Sequence, residues 1–340
     1  MSLVSPIWLE EYVSCIDSQL SELYLGRPQS SGATTLQRAA ADALSTGGKR
    51  VRAVLALLWC EAFSGDYRRA IPVAVAYELA HASALIQDDI IDHSDLRRGK
   101  ESTVAKYGLS NAVLASDLLL FHVPKMIAKY SDLSSERLCW LFDLVGESCR
   151  STTWGEFLDL EMAAAGRDEA FEKEYEEMIR LKTASLLGAP SASGAIVGGA
   201  SKEEVDTAYS FGECLGMAYQ IQDDLLDLMG DEAALGKPVF TDVKGGKKNV
   251  VLIHALKSCS EEERSFLVSL LGREGLYSES EIQRARRVFL GCGSVEYAQA
   301  KIVRYVDEGR KVLSTLPYTQ NSSALQRLLE LSDYLSIRYY

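Results

Sequence analysis

The 340-residue sequence is short of the residues that break helices and of those that hold transition metals. It has only seven prolines, too few to interrupt long helical runs. Its four histidines (81, 93, 122, 254) are dispersed, and its seven cysteines (15, 60, 139, 149, 214, 259, 292) form no CxxC pair. That excludes a Cys/His metal cluster and a disulfide framework. An odd, unclustered set of thiols reads as small buried side chains kept reduced in a cytoplasmic protein. Positive charge is also scarce. The net charge is −12 and no basic stripe with interleaved aromatics is present, so a general nucleic-acid binder is excluded. No GxxxxGK[ST] segment occurs, which disfavours P-loop nucleotide hydrolysis. The N-terminus lacks a basic region followed by an apolar run, so no secretory signal is expected. Thr183 to Ser201 carries no charge, yet it is rich in Gly, Ser and Ala and contains a proline. Its hydrophobicity is too low for a membrane span, and tight helix packing is expected instead, so the chain is not expected to be transmembrane.

What is present is helical periodicity. The chain is 47% hydrophobic and 25% charged, ample for a large core. Apolar residues at three- and four-residue spacing predict helices over Trp8–Leu25, Val51–Phe63, Ile71–Asp92, Ala112–Tyr130, Glu136–Ala164, Phe171–Leu187, Ala189–Gly199 and Glu203–Leu228. A further run extends from Val250 to the end. Gly26–Thr35 reads as a loop, and glycine-rich Gly230–Asn249 as the longest one. With no alternating β pattern and no linker-like composition, residues 1–340 read as one all-α domain of roughly ten or more helices.

Two runs carry the chemistry: QDDIID (Gln87–Asp92) and QDDLLD (Gln222–Asp227). Each ends a helix that is apolar on nearly every side and therefore buried. A helix C-terminus already carries partial negative charge, so carboxylates there are not placed for stability. Asp88 and Asp92 lie four apart on one face, as do Asp223 and Asp227. Such pairs repel unless a cation sits between them. Mg²⁺ suits the role, since it bridges carboxylates to substrate phosphates. A single acidic pair at a helix end is often only solvated; two near-identical copies argue for a metal-diphosphate site. Basic residues complete the set. Lys49 and Arg52 stand near a helix start, where anions bind readily. Arg97 and Arg98 follow the first run, and Lys182, Lys237, Lys247 and Lys248 lie in or near glycine-rich turns.

Together these segments resemble the trans-polyprenyl diphosphate synthases, most like the geranylgeranyl diphosphate synthases among them. The resemblance spans GGKR at 47–50, ELAHASALIQDDIID at 78–92, RRG at 97–99, LKTASL at 181–186, YQIQDDLLD at 219–227, GKPVFTD at 236–242 and GGKK at 245–248. It implies the isoprenoid synthase fold, a helical bundle around a central cavity, and a homodimer. It also implies Mg²⁺-dependent head-to-tail condensation of isopentenyl diphosphate with an allylic diphosphate (dimethylallyl, geranyl or farnesyl). Three Mg²⁺ ions are implied, with Mn²⁺ a substitute. Carried over by position, Asp88 and Asp92 would bind two ions and Asp223 the third, with Asp227, Asp242 and Asp224 in support. Asp89, about 100° around the helix from Asp88, would support from behind. Arg97, Lys182 and Lys237 would hold the allylic diphosphate. Lys49, Arg52, His81 and Arg98 would hold isopentenyl diphosphate. Thr183 and Gln220 would turn oxygen dipoles to the carbocation, and Lys247 would close over the site. The sequence departs from the family pattern at Gln87, Ser116, Glu156 and Asn249, where His, Gly, Gln and Thr are usual.

Product length should follow the stripe Ala84, His81, Tyr77 that runs back from Asp88, flanked by Ser83 and Ala80. Ser83 and Ala84 are small where bulky aromatics stop family members at C15. Each helical turn, ~5.4 Å, spans about one isoprene unit. Tyr77 is the next bulky residue, with Phe121 and His122 as other candidate caps. C20 is therefore expected, with C25–C35 as the alternative. Terpene cyclases and head-to-head condensing enzymes lack this combination of second aspartate run, GGKR and RRG. A rival of another class is a non-catalytic partner subunit, although such subunits tend to lose aspartates that this chain keeps.

Overall fold

The computed structural model of the protein describes residues 6–25, 34–166, 171–232, 239–273, 275–316 and 322–336. Among these, helices account for nearly everything, as the all-α reading requires. They are α1 (Ile7–Leu25), α2 (Thr34–Ser45), α3 (Val51–Ser64), α4 (Ile71–Ile91), α5 (Thr103–Tyr107), α6 (Leu109–Ile127), α7 (Ser135–Ala164), α8 (Glu172–Ile179), α9 (Ser185–Gly198) and α10 (Lys202–Met229). After these come α11 (Thr241–Lys244), α12 (Val250–Ser258), α13 (Glu261–Leu270), α14 (Glu279–Gly291), α15 (Ser294–Ser314) and α16 (Ser322–Ser336). A two-stranded hairpin, β1 (Leu96–Arg97) and β2 (Lys100–Glu101), lies between α4 and α5.

The uncharged segment after Thr183 forms the centre of the bundle. All 14 residues of α9 are buried. Its glycines and those of α10 allow backbones to touch. A Cβ at Gly194 would come within 2.1 Å of the Ala56 carbonyl oxygen on α3, and one at Gly212 within 2.3 Å of that of Leu187. Small residues are thus required by close approach, and tight packing is what the segment does.

Two apolar cores result. One gathers α1 to α4, α6, α7, α9 and α16; the other gathers α8 and α11 to α15. Helix α10 serves both, with Phe211 and Leu215 in the first core and Ile221 and Leu225 in the second. By length and composition Tyr67–Ile91 could cross a membrane, but 67% of its most apolar stretch is buried inside the bundle. Burying those side chains against protein explains its apolarity.

Several boundaries differ from the sequence reading. Helix α2 was not foreseen after the loop at 26–35; LQRAAADAL is short and only weakly apolar. The run from Val250 onward is five helices, because Ser260 with Glu263 and Ser278 with Glu281 form capping boxes that start new ones. Phe171–Leu187 and Ala189–Gly199 are one continuous path from α8 to α9, joined by a π-type turn at Arg180–Ala184.

Candidate active site

The first aspartate run closes α4, and the hairpin after it decides where its two arginines go. Arg98 and Gly99, both at positive φ (53° and 74°), form the two-residue turn of that hairpin. Arg97 therefore points back to α4 and Arg98 away from it. Arg97 Nε donates to Asp89 Oδ1 (2.8 Å), and Nη2 to Asp88 Oδ2 (2.7 Å). Asp89 is 3% exposed and fixed by this contact.

Lys182 reaches the same carboxylates from the π-type turn, a feature common at functional sites because it re-aims side chains within a helix. Its Nζ lies 2.7 Å from Asp159 Oδ2, 2.7 Å from Glu156 Oε2 and 3.6 Å from Asp88 Oδ1. Gly155 makes this possible: a Cβ there would come within 2.2 Å of the Lys182 backbone nitrogen. Lys247 Nζ sits 2.9 Å from Asp92 Oδ2 and 3.6 Å from Asp159 Oδ2, so the chain past α11 lies over the first run. Burial alone would raise the Asp88 pKa, but Lys182, Arg97 and Lys247 together hold it below the ordinary carboxylate value. Burial would lower the Lys182 pKa; Asp159, Asp88 and Glu156 raise it instead, so it stays charged.

Neutral donors reach two carboxylates of the second run. Tyr175 OH and Gln220 Nε2 (2.7 Å) both donate to Asp224. Burial, and then the neighbouring Asp223 and Asp227, push Asp224 up to about 7 against these two hydrogen bonds. Asp227 accepts from Thr241 N (3.1 Å), Thr241 Oγ1 (2.6 Å) and Asp242 N (3.1 Å). It caps α11 from outside, the work of an N-cap side chain. Asp223 alone of this run is half-exposed on α10. Thr183 Oγ1 donates to Gln220 Oε1 (2.8 Å), so Thr183 has only lone pairs left to offer elsewhere.

A separate basic cluster surrounds Gly47 to Arg52. Arg98 Nη1 donates to the Gly47 carbonyl, and its guanidinium occupies the space where a Cβ on Gly48 would lie, at 2.6 Å. Gly48 has φ 134°, a conformation that glycine adopts without strain. Arg52 Nε is buried and has no hydrogen-bond partner among the described residues, an orphaned donor of the kind an absent anion satisfies. Burial, then Arg52, Arg98, Arg50 and Arg97, pushes the His81 pKa well below the usual imidazole range, so His81 is neutral near pH 7.

The donors around Asp88, Asp92 and Asp223 are carboxylate oxygens only, and no three of them converge among the described residues. That set fits Mg²⁺, which takes one or two carboxylates and completes its shell with water and substrate phosphate oxygens. It does not fit a zinc-type cage. Lys237 lies outside the described residues. Lys49 is packed over the Tyr334 ring.

The chain-length residues separate. Ala84 and His81 are half-buried on α4, while Ser83 is buried, its hydroxyl 2.8 Å from that of Ser116 on α6. Ser116, a departure from the family pattern, is thus paired with Ser83. Ala80 and Tyr77 are buried, and the Tyr77 hydroxyl meets Ser193 Oγ at 2.9 Å. Phe121 is corrected: at 70% exposed on the outer face of α6 it cannot cap a pocket within this chain. Asn249, a further departure, caps α12 through Leu252 N (3.2 Å).

Sequence reasoning missed Asp159, Tyr175 and the pairing role of Glu156. A signal for Asp159 existed. Leu141, Val145, Ser148, Gly155 and Asp159 follow helical spacing along the buried face of α7, and a carboxylate on such a face needs a cationic partner. Lys248, read as a basic site residue, donates instead to the Met162 (3.0 Å) and Ala165 (3.3 Å) carbonyls at the end of α7.

Comparison with known proteins agrees with this geometry. The family model described as Polyprenyl synthetase matches residues 33–288. A short chain isoprenyl diphosphate synthase of Methanothermobacter thermautotrophicus is 37% identical over 301 residues, 88% of this chain and 90% of that protein. A geranylgeranyl diphosphate synthase of Methanosarcina mazei is 31% identical over 341 residues, 100% of this chain and 99% of that one. The crystal structure of geranylgeranyl pyrophosphate synthetase from Pyrococcus horikoshii superposes with a TM-score of 0.88 at 31% identity, covering 98% of both chains. A family match over residues 33–288, with relatives above 30% identity along nearly the whole chain and the same helical fold, makes the chain a prenyltransferase of the polyprenyl synthetase family.

Proposed function

We propose that the protein joins isopentenyl diphosphate head-to-tail (1′-4) to an allylic diphosphate, with dimethylallyl, geranyl and farnesyl diphosphates as successive acceptors and geranylgeranyl diphosphate (C20) as the end product. The observation that carries this reading is the presence of two basic clusters. Arg97, Lys182 and Lys247 gather at the first aspartate run, whereas Arg52, Arg98 and His81 gather at the Gly47–Arg52 loop. A reaction between two diphosphates needs two anion sites, and a cyclase needs one.

In this reading Asp88, Asp92 and Asp223 would hold Mg²⁺, three ions in all and replaceable by Mn²⁺, which would supply positive charge to the departing diphosphate. Arg97 and Lys182, with Lys237, bind the allylic diphosphate; Lys247 covers it. Lys49, Arg52, His81 and Arg98 bind isopentenyl diphosphate. As the allylic C–O bond breaks, positive charge on carbon faces the oxygens of Thr183 and Gln220. The isopentenyl double bond then attacks, and a proton passes to the departing diphosphate. The packed apolar core excludes water that would quench the cation. Asp227 and Asp242 shape the α11 segment that delivers Lys247, and the whole chain acts as one catalytic domain.

Ala84, small and half-buried, favours growth beyond C15, and Tyr77 is the proposed floor. A longer product, C25–C35, is the second reading and would require the chain to pass Tyr77. Exposed Leu109, Val113 and Phe121 on α6 with Phe142, Phe157 and Leu160 on α7 support a homodimer through these two helices. Seven free cysteines support a cytoplasmic location.

The test supplies labelled isopentenyl diphosphate and Mg²⁺ with each of the three allylic diphosphates and sizes the products. A ladder ending at C20 supports the reading, and Tyr77→Ala should lengthen it. A ladder running past C20 moves the floor below Tyr77. No incorporation by the folded protein would favour a non-catalytic partner subunit.

A further inference from the structure

We infer that Tyr334, on the C-terminal helix α16, is a positioning residue for Lys49 and forms part of the isopentenyl diphosphate site; this rests on the role proposed for Lys49 above. The Lys49 ammonium lies over the face of the Tyr334 ring, 4.4 Å from its centroid. The two residues come from opposite ends of the chain, and both ends of the contact are anchored.

On the Lys49 side the anchor is its neighbour Arg50, held at φ 47°. Arg50 donates to Asp17 Oδ1 on α1 (2.8 Å), to the Leu44 carbonyl on α2 (2.6 Å) and to Glu78 Oε2 on α4 (3.2 Å). The backbone that carries Lys49 is thereby fixed to three helices. On the Tyr334 side, Trp8 Nε1 donates to Glu330 Oε2 (2.7 Å), and Arg327 bonds Tyr12 and Glu61. Asp333, next to Tyr334, pairs with Arg310 of α15 at 2.5 Å. Leu328, Leu331 and Leu335 are fully buried beneath. The ring is a platform on a helix bolted to α1, α3 and α15.

A lysine on a flexible four-carbon stem loses rotamer freedom when it binds a phosphate. A ring face that already holds the ammonium removes part of that loss in advance. The phenol hydroxyl plays no part in this contact, so phenylalanine should replace tyrosine and methionine should not. The C-terminal helix thus belongs to the substrate site although it starts 230 residues past the first aspartate run.

The test is steady-state kinetics of the full chain at saturating geranyl diphosphate and Mg²⁺. Tyr334→Met should raise the KM for isopentenyl diphosphate about two- to fivefold, the worth of an exposed cation–π contact. kcat, the KM for the allylic substrate and Tm should stay near wild type. Tyr334→Phe should behave as wild type, and Tyr334→Met should add nothing in a Lys49→Met background. An unchanged or lowered isopentenyl KM in Tyr334→Met overturns the inference. So does Tyr334→Phe behaving like Tyr334→Met, or both KM values and Tm moving together, which marks a merely structural ring. Lys49→Met with an unchanged isopentenyl KM overturns the role of Lys49 itself; a raised KM there with a silent Tyr334→Met overturns only the positioning. Should Tyr334→Met not fold, NMR of the wild-type protein labelled at lysine Cε decides. The signal lost in Lys49→Met should be shifted upfield by the ring, and a signal among the bulk lysines overturns the contact.

Discussion

QDDIID on α4 and QDDLLD on α10 are nearly the same sequence, yet their described hydrogen-bond partners differ in kind. The first is wrapped by full positive charges: Arg97 on Asp88 and Asp89, Lys182 beside Asp88, Lys247 on Asp92. In the second, a phenol, an amide, a threonine and two backbone N–H groups donate to Asp224 and Asp227. Asp88 is accordingly held below the ordinary carboxylate pKa and Asp224 pushed up to about 7. A motif fixes which groups are present; its neighbours fix their charge. In the function proposed above, the first run would exchange its cationic partners for a metal and a diphosphate. The second offers Asp223 and commits its other two carboxylates to holding the surrounding chain.

The largest effect should separate the two runs directly. Asp88→Asn should lower kcat about 10³-fold, the scale on which a preorganised electrostatic contact is lost. Asp227→Asn should cost less than about tenfold, because its amide oxygen still accepts from α11. Equal losses in a radiolabel condensation assay would mean that both runs bind metal alike.

Next in size is Tyr175→Phe, which leaves buried Asp224 short of a donor and should destabilise the ligand-free protein by about 1–3 kcal/mol in chemical denaturation. Asp224 also predicts a pH dependence. Its folded-state pKa, about 7, lies above the ordinary 3.8, so the folded state binds the proton more tightly. That contribution is fully present below the ordinary pKa and is lost as pH rises toward the folded value. The stability difference between wild type and Asp224→Asn should therefore shift against wild type from about pH 4 to pH 7 and then level off. A difference that stays flat over this range would show that Asp224 is ionised throughout.

Asp227→Ala removes the cap of α11 and should cost about 1–2 kcal/mol, partly restored by Asp227→Asn, whose oxygen keeps the Thr241 contacts while its NH2 loses the Asp242 N–H. Failure of asparagine to restore Tm would point to a charge-dependent role. The smallest effect is expected at Glu156→Gln. Lys182 keeps Asp159 at 2.7 Å, so kcat should change by no more than about fivefold. A greater loss would make Glu156 a required partner of Lys182.

Much of this was legible because helix periodicity places residues on faces without reference to the rest of the fold. Asp88 with Asp92 on one face, the buried character of α4 and α9, and the basic character of 47–52 all follow from spacing. Tertiary partners did not. Asp159 and Tyr175 come from α7 and α8, and nothing local in either sequence names Lys182 or Asp224 as the partner. Ser83 and Ala84 read alike as small neighbours, yet one faces Ser116 on α6 and the other is half-open. A 100° step along a helix is fixed by the backbone, but what stands on each side is fixed by packing.

By itself, then, the sequence determined an all-α chain with two acidic runs, two sets of basic residues and a small-residue core helix, since composition and period-3.6 spacing are local properties. Only the tertiary structure decided that Arg97 and Arg98 part company at a hairpin turn, that Asp227 caps α11, and that Tyr334 meets Lys49. The first is a turn whose outcome sets which side each arginine faces, and the others join residues 14 and 285 apart that spacing alone does not pair.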